Sequence, residues 1–339
     1  VNPQHFYLHR ISPYILRFGG QFGLRWYGLS YVAGFIVGLF LLRYLSQKGL
    51  LKLLPNDVDA LLTYLIIGVL IGGRLGYILF YQPSLLLQLT ASPPFWGVLA
   101  INQGGMSSHG GFLGVWLVII LFAKRHGVSW LHVGDAVVMS APVGLFFGRL
   151  ANFVNGELYG RPSVVPWAVC FPTEIMNWST QRLNQLTGAL AEKGFIYDST
   201  ERLLDAIRNN DTVANIVQPF LTPRHPSQIY EALLEGICLF AILWWFGMKR
   251  SRRDGRITAL FFLCYGVMRI FAEQFREPDA GIGYQILGLT RGQLLSFGML
   301  FIGAVFWYIS MMNPIVKYNH AQPSHQKPAQ GKGSSHPHS

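Results

Sequence analysis

Charge is scarce in this chain, and cysteine is scarcer. Asp, Glu, Lys and Arg make up 13% of the 339 residues, about half of what a soluble globular domain carries. Hydrophobic residues reach 51% and the mean hydropathy is +0.32. That balance excludes an ordinary soluble protein and points to a polytopic membrane protein. The three cysteines, Cys170, Cys238 and Cys264, lack metal-like or redox-like spacing, so no cysteine chemistry is assigned. No Walker pattern and no His/Cys/acid ligand set occurs, so neither a metal nor any other cofactor is expected. The first twenty residues hold Pro3, His9, Arg10 and Pro13 but no apolar core, so no cleavable signal peptide is expected. Acids are the rarer sign, 16 against 27 Lys and Arg, for a net charge of +11. The basic excess forms no soluble basic face, which argues against a nucleic-acid partner. It gathers in short loops between apolar runs and in the tail, as membrane topology requires.

Seven apolar runs are long enough to cross a bilayer: about Leu24–Tyr44, Ala60–Tyr81, Gly104–Ala123, Val133–Phe153, Ile229–Phe246, Ile257–Phe275 and Leu294–Met312. The expected fold is therefore an all-α polytopic membrane protein. Residues 1–21 precede the first run as an interfacial segment, with a short helix expected around Ile11 to Phe18. Residues 22–155 hold spans one to four, 229–312 hold spans five to seven, and 313–339 form a tail whose last part, His320–Ser339, has the composition of a disordered segment. Residues 156–228, of mixed polarity, are too long for a connector and are expected to form a small head domain with its own helices. Lys and Arg are dense after spans one, three and five and in the tail, and nearly missing from the short loops on the other side. The positive-inside rule then puts the N-terminus and head outside the cytoplasm and the C-terminus inside.

The polar residues of the spans can now be placed by depth. Arg74, Arg149 and Arg269 stand four to seven residues before the outer end of an outward-running span. Tyr27, His109, Tyr230 and Glu231 stand in the first turns of inward-running spans. At about 1.5 Å per residue these groups fall in one layer beneath the outer face. On span six, Tyr265, Arg269, Glu273 and Arg276 form one stripe at helical spacing. The stretch Gly148–Arg161 carries Arg149 and Asn152 on one helical face, then Asn155, Glu157 and Arg161, with Gly156 and Gly160 allowing tight bends. An intramembrane arginine costs several kcal/mol unless it meets an anion, a partner or water. This grouping points to a site for something anionic.

Blander readings stand beside that one. Arg149 alone could snorkel to the interface, Arg74 could tie helices together, and Tyr27, beside Trp26, could be an interfacial anchor. Glu273 pairs with Arg269 one turn earlier, and Glu231 could cap the dipole of its helix. His109 is different, standing between two glycine pairs at a helix start, where a small backbone lets a bulky substrate approach.

Gly148-Arg149-Leu150-Ala151-Asn152-Phe153-Val154-Asn155-Gly156-Glu157 resembles the signature of the prolipoprotein diacylglyceryl transferases. The resemblance extends to Arg25–Leu29, Gly72–Tyr77, Gly105–Gly111, Arg224–Glu231, Tyr265–Arg269 with Glu273, and Arg276–Asp279, and it spans about residues 12 to 312. Ala151 stands where the family usually has glycine, and the head, about Pro172–Pro219, is longer than expected.

The resemblance implies a bacterial inner-membrane enzyme. It would transfer the sn-1,2-diacylglyceryl group of phosphatidylglycerol to the lipobox cysteine of a prolipoprotein signal peptide, releasing glycerol phosphate and needing no cofactor. Chemistry assigns the roles. A thiol with a pKa near 8.5 needs a base or a positive field, and His109 suits the base. Arg149 and Arg269 offer forked donors to the departing phosphate. Asn152, Asn155 and Glu157 are candidates to bind the glycerol headgroup and hold Arg149, with Tyr27, Gly160, Tyr265, Glu273 and Arg276 completing the phosphatidylglycerol site. The base role stays open between His109, Tyr265 and a lipid phosphate oxygen. A transporter or flippase for an anionic substrate would use the same arginines, but it needs a site near the midplane and related halves, and no repeat is evident. An intramembrane protease would need a Ser-His dyad or an acid pair, and no acid pair at matching depth is expected.

Overall fold

The computed structural model describes residues 5–19, 22–89, 95–100, 104–278, 285 and 288–318. Asp279 and the tail segment His320–Ser339 lie outside the described residues. The chain is mostly helical, and among the described residues six helices are long and apolar enough to cross a membrane. They are α1 (Trp26–Gln47), α2 (Pro55–Phe80), α3 (Ser108–Arg125), α4 (Trp130–Asn155), the composite helix Ser227–Gly247, and α11 (Arg291–Met312). Between the last two lies α10 (Arg256–Ala272), apolar but only 17 residues long. It covers about 25 Å, less than the roughly 30 Å of a hydrocarbon core. It stops short of the expected Phe275 because the chain turns at Glu273, whose N–H still bonds Arg269 O (3.0 Å).

The helices fall into two compact units. The larger takes the chain up to Leu41 and Leu131–Val316, and the smaller takes Leu42–Trp130 with Lys317 and Tyr318. In the smaller unit α2 opens with Pro55 at its first position and Asp57 in its first turn, and α3 opens on Ser107, whose hydroxyl accepts from Gly110 N (3.2 Å). The two helices cross almost backbone to backbone. A Cβ added at Gly76 would stand 2.7 Å from Gly110 Cα. This is small-residue packing of the membrane type.

In the larger unit, residues between α4 and the composite helix form three short helices, α5 (Thr180–Ala191), α6 (Thr200–Asn209) and α7 (Asp211–Val217), capped by Ser179, Ser199 and Asn210. Leu186, Leu190, Leu203, Ile207 and Val217 bury a core between them, against which Phe6 and Leu8 pack. A small sheet runs beside it. Its strands are β1 (Tyr7–Leu8), parallel to β4 (Val169–Cys170), which pairs antiparallel with β5 (Pro223–Arg224).

The all-α expectation therefore needs correction. The interfacial helix expected at Ile11–Phe18 is instead a strand, β2 (Tyr14–Gly19), antiparallel to β3 (Phe22–Arg25). Tyr14, Ile15 and Phe18 favour strand. Arg25 fixes the pair, standing 5.0 Å from the centre of the Tyr14 ring and donating to its hydroxyl (2.9 Å).

The start of α10 is built from outside its own sequence. Asp135 of α4, fully buried, accepts from Gly255 N (3.0 Å), Thr258 N (2.8 Å) and Thr258 Oγ1 (2.9 Å). That carboxylate satisfies orphan donors of the first turn and ties α4 to α10, fixing the register that brings Arg149 and Arg269 together further along.

Candidate functional site: a buried arginine–glutamate cluster

The composite helix changes its winding at the site. After α8 (Ser227–Glu231) it runs as a π-helix over Ala232–Cys238 and returns to α9 (Leu239–Gly247). Glu231 and Glu235, both at 0% exposure, flank and enter the π segment. Such segments are uncommon and frequent at functional sites.

Both acids meet the arginines that depth had singled out. Arg149 of α4 places Nη1 2.8 Å from Glu231 Oε2 and Nη2 3.0 Å from Glu235 Oε2, with Nε donating to the same oxygen at 3.2 Å. The Glu231 contact is an ion pair lying outside hydrogen-bond geometry. Arg269 of α10 shares one Nη1 between Glu231 Oε1 (2.7 Å) and Glu235 Oε1 (3.2 Å), and its Nη2 stands 2.9 Å from Glu273 Oε2. Glu273 in turn accepts from Thr290 Oγ1 (2.9 Å). Arg276 is the outermost member, with Nη1 3.9 Å from Glu231 Oε1. The formal charges of Arg149, Arg269 and Arg276 cancel those of Glu231, Glu235 and Glu273. Each of Arg149 and Arg269 makes three contacts to glutamate oxygens, whereas a guanidinium carries five N–H donors. Donors thus remain on both for a further oxygen-rich group.

Of the expected roles, Glu273 does pair with Arg269. Glu231 is no helix cap: it bridges Arg149 and Arg269. Glu235, the second bridge, was missed altogether. Its signal lay in the sequence as an acid four residues after Glu231, on a span whose interior offers no cation to answer it. Glu231 and Glu235 are two acids one turn apart on the same span, and both are engaged by arginines.

Arg149 takes nothing from Asn152, Asn155 or Glu157, which bond one another. Asn152 Nδ2 donates to Glu157 Oε1 at 2.8 Å and Asn155 Nδ2 reaches the same oxygen at 3.4 Å. Asn155 Oδ1 is buried with no hydrogen-bond partner among the described residues. Gln228 Nε2 donates to Glu157 O (2.7 Å) and Ser227 Oγ to Leu158 O (3.1 Å), so the start of the composite helix holds this loop by its backbone. The loop itself bends through positive φ at Gly156 (67°) and Leu158 (55°).

Gly160 serves the backbone. Its N–H donates to His225 O (3.0 Å), it forms an isolated bridge with Arg276, and a Cβ there would stand 2.5 Å from both His225 O and Phe275 O. Arg161 completes the join, donating from N to Phe275 O and from Nε to Arg276 O, both at 2.9 Å. His225 places Nδ1 3.2 Å from the Tyr230 hydroxyl, and burial lowers its pKa below the usual imidazole value.

Tyr265, one turn before Arg269, lies within electrostatic reach of Glu235, Arg269 and Arg149. Tyr27 stacks edge-on with Tyr31 at 5.2 Å, and Tyr31, which sequence reasoning passed over, is electrostatically coupled to Glu157.

Arg74 and His109 belong to the smaller unit. Arg74 is a structural tie, as its blander reading held. It donates to four backbone carbonyls, Gly97 (2.5 Å), Val98 (2.8 Å), Gly104 (2.7 Å) and Gly105 (3.0 Å), and so ties these four residues to α2. His109 is exposed in the first turn of α3. The glycines around it do not all leave room for a substrate, because Gly110 is committed to the crossing with α2. Among the described residues no group of three or more His, Cys, Asp or Glu is placed to hold a metal ion.

Residues 13–309 match the family described as prolipoprotein diacylglyceryl transferase. The chain is similar to phosphatidylglycerol–prolipoprotein diacylglyceryl transferase of Bdellovibrio bacteriovorus, at 40% identity over 89% of this chain and 93% of that protein. It is likewise similar to the enzyme of the same name from Rhodospirillum centenum, at 41% identity over 84% of this chain and 86% of the relative. The corresponding enzyme of Neisseria gonorrhoeae is 40% identical over 88% and 95%.

Proposed function

This chain belongs to the prolipoprotein diacylglyceryl transferase family, and from that premise we infer that it transfers the sn-1,2-diacylglyceryl group of phosphatidylglycerol to a cysteine thiol of a prolipoprotein. The observation that carries the reading is the pair Arg149 and Arg269, held side by side by two fully buried glutamates.

The reaction is a displacement at an sp³ glycerol carbon. Thiolate sulfur forms the C–S bond, the C–O bond breaks, and glycerol phosphate leaves with the electron pair as charge grows on its oxygen. Guanidinium donors fixed before the reaction strengthen as that charge grows, at no cost of reorganisation. Glu231, Glu235 and Glu273 supply the fixing. The donors remaining on Arg149 and Arg269 take the phosphate oxygens, and Asn155 Oδ1 accepts from a glycerol hydroxyl of the headgroup. Glu157 is the second headgroup acceptor, held by Asn152, and Tyr27 completes the headgroup site. Tyr265 lies beside the arginines, and Gly160 and Arg276 pair the loop after α4 with the chain just after α10. The thiol proton goes to a base, with His109, Tyr265 and a lipid phosphate oxygen as the candidates.

The thiol comes from the lipobox at the end of a signal helix, which approaches laterally from the bilayer, as does the lipid. The enzyme is a multi-pass protein of the bacterial inner membrane with seven spans, α10 included. The site, the N-terminus and a head formed by residues 156–228 face the periplasm, and the C-terminus faces the cytoplasm. The distribution of Lys and Arg supports this orientation.

The test is thiol-dependent attachment of labelled lipid to a lipobox peptide by purified protein. Arg149→Ala and Arg269→Ala, at normal membrane abundance, should each lose about 2–4 kcal/mol of transition-state stabilisation, roughly thirty- to a thousand-fold in rate. More than half of the activity left in either variant would remove the phosphate-clamp assignment. Flux of an anionic solute in liposomes without transfer would favour the transporter instead.

A further inference from the structure

At the opposite end of α10 a second group of cations surrounds a cavity of 380 Å³. Arg256 opens the helix and Arg269 sits in its last turn, so this cavity lies about 20 Å along the axis from the arginine–glutamate cluster. Lys249, Arg252, Arg253 and Arg256 line it, no acid does, and Phe246, Leu260 and Trp307 supply an apolar wall. The nearest acid in sequence, Asp254, is turned to His132 (3.3 Å).

The cations are placed, not splayed into water. Arg252 donates from Nη1 to Lys249 O (3.2 Å) and to Gly247 O, closing the turn after α9. Arg253 donates to Met311 O at the end of α11. The Arg256 guanidinium stands 3.8 Å from the centre of the Trp307 ring, and Lys249 Nζ 4.6 Å from that of Phe246. Lys249, Arg253 and Arg256 form no ion pair among the described residues. Orientation in a membrane explains basic loops at this end. It requires only their charge, and it explains neither a cavity nor two cations seated on aromatic rings that line it.

We infer that this cavity binds the headgroup of an anionic phospholipid, separately from the arginine–glutamate cluster. The cations take the phosphodiester, and Trp307, Phe246 and Leu260 take the glycerol and the first methylenes of the acyl chains. Trp245, Tyr308 and Met312, exposed on the flanking helices, extend the apolar surface along which those chains run. A free phosphate would use the cations and leave the apolar wall idle, so the occupant is a lipid. Basic pockets between membrane helices hold anionic lipid headgroups by this combination.

The test counts lipids on the full-length protein, purified in non-ionic detergent and supplied with phosphatidylglycerol, by native mass spectrometry. Lys249→Gln/Arg256→Gln should retain one phosphatidylglycerol fewer than the parent. Each cation contributes a factor of about five to affinity, so the pair weakens this site about twenty-five-fold. Lys249→Gln alone, an exposed position, should weaken it about fivefold and carries the test if the double variant fails to fold. Arg149→Ala should keep this lipid, which separates the site from the catalytic reading. Equal lipid counts in parent and variants would overturn the inference. So would equal retention of phosphatidylcholine, which marks a mere apolar groove, or displacement by millimolar inorganic phosphate, which marks a free-anion site.

Discussion

Glu235→Gln probes the cluster most directly. The substitution keeps the side chain's size and one acceptor while deleting one charge from a set in which three arginines and three glutamates cancel. Glu235 is fully buried, with Oε2 on Arg149 (3.0 and 3.2 Å) and Oε1 on Arg269 (3.2 Å). An amide can present an acceptor to only one of them. The other arginine then meets an NH₂ group and loses its orientation.

Two consequences follow, of opposite sign. The cluster gains one net positive charge, so phosphatidylglycerol binds at least as well and KM does not rise. The misdirected arginine no longer meets the developing phosphate charge, which removes about 2–4 kcal/mol and lowers kcat roughly thirty- to a thousand-fold. Removing one partner of a buried ion pair also costs about 3–5 kcal/mol of stability, so rates must be compared at equal folded concentration. The assay is transfer of labelled diacylglyceryl to a lipobox peptide in mixed micelles over a range of phosphatidylglycerol fractions. A raised KM with kcat intact would refute the reasoning, because it would make Glu235 a ground-state binding group. An unchanged kcat and KM would refute it as well.

Gly160→Ala should cost about 1–3 kcal/mol of stability, because its Cβ would fall 2.5 Å from two carbonyl oxygens, His225 O and Phe275 O; denaturation in detergent checks this. His109→Gln should slow transfer by about 10²–10⁴ if His109 is the base, with partial rescue at high pH, whereas a modest loss with a parallel pH–rate profile would leave thiolate formation to the arginine field. His9, on the strand edge beside Phe153 and Phe171, is lowered by burial from 6.5 to about 4. Its neutral form therefore contributes full stability above about pH 6.5, and that contribution falls as pH drops towards 4, by up to about 3 kcal/mol. Melting temperatures of parent and His9→Asn across pH 4–7 should differ most at the upper end.

Much of the larger unit was legible because membranes make errors expensive. A run such as Leu294–Met312 has no other stable use, and its helix, Arg291–Met312, differs from the apolar run only by a capping box in which Thr290 and Gln293 bond reciprocally. Arg149 and Arg269 stood out because a lone arginine in a span needs an answer. The answer itself was half read. Glu273 is one turn from Arg269 on the same helix, a local relation that spacing reveals. Glu231 and Glu235 answer from a different helix, and nothing in their own segment says which cation they face. Depth alone would have matched them, since two acids four residues apart in a span without internal cations must look outward for partners. Short elements were the least legible. Tyr14–Gly19 reads equally well as an interfacial helix, and its strand pairing is decided by a neighbour, β3, whose Arg25 grips Tyr14.

The pairing bears on what a phosphate clamp in a membrane can be. Two bare guanidinium groups at this depth would each carry a desolvation penalty of several kcal/mol whenever no lipid was bound. They would also repel one another and drift apart. Glu231 and Glu235 remove both difficulties, because each carboxylate bridges the two arginines and so draws them together. The resting cluster is neutral by formal charge, which makes it tolerable in a bilayer without substrate, and donors are left over on each arginine. Under the proposed reading, a neutral cluster would bind a singly charged lipid weakly in its ground state and respond most strongly when the leaving phosphate gains charge. Preorganised donors should be arranged in that way if their purpose is to stabilise a transition state more than a substrate.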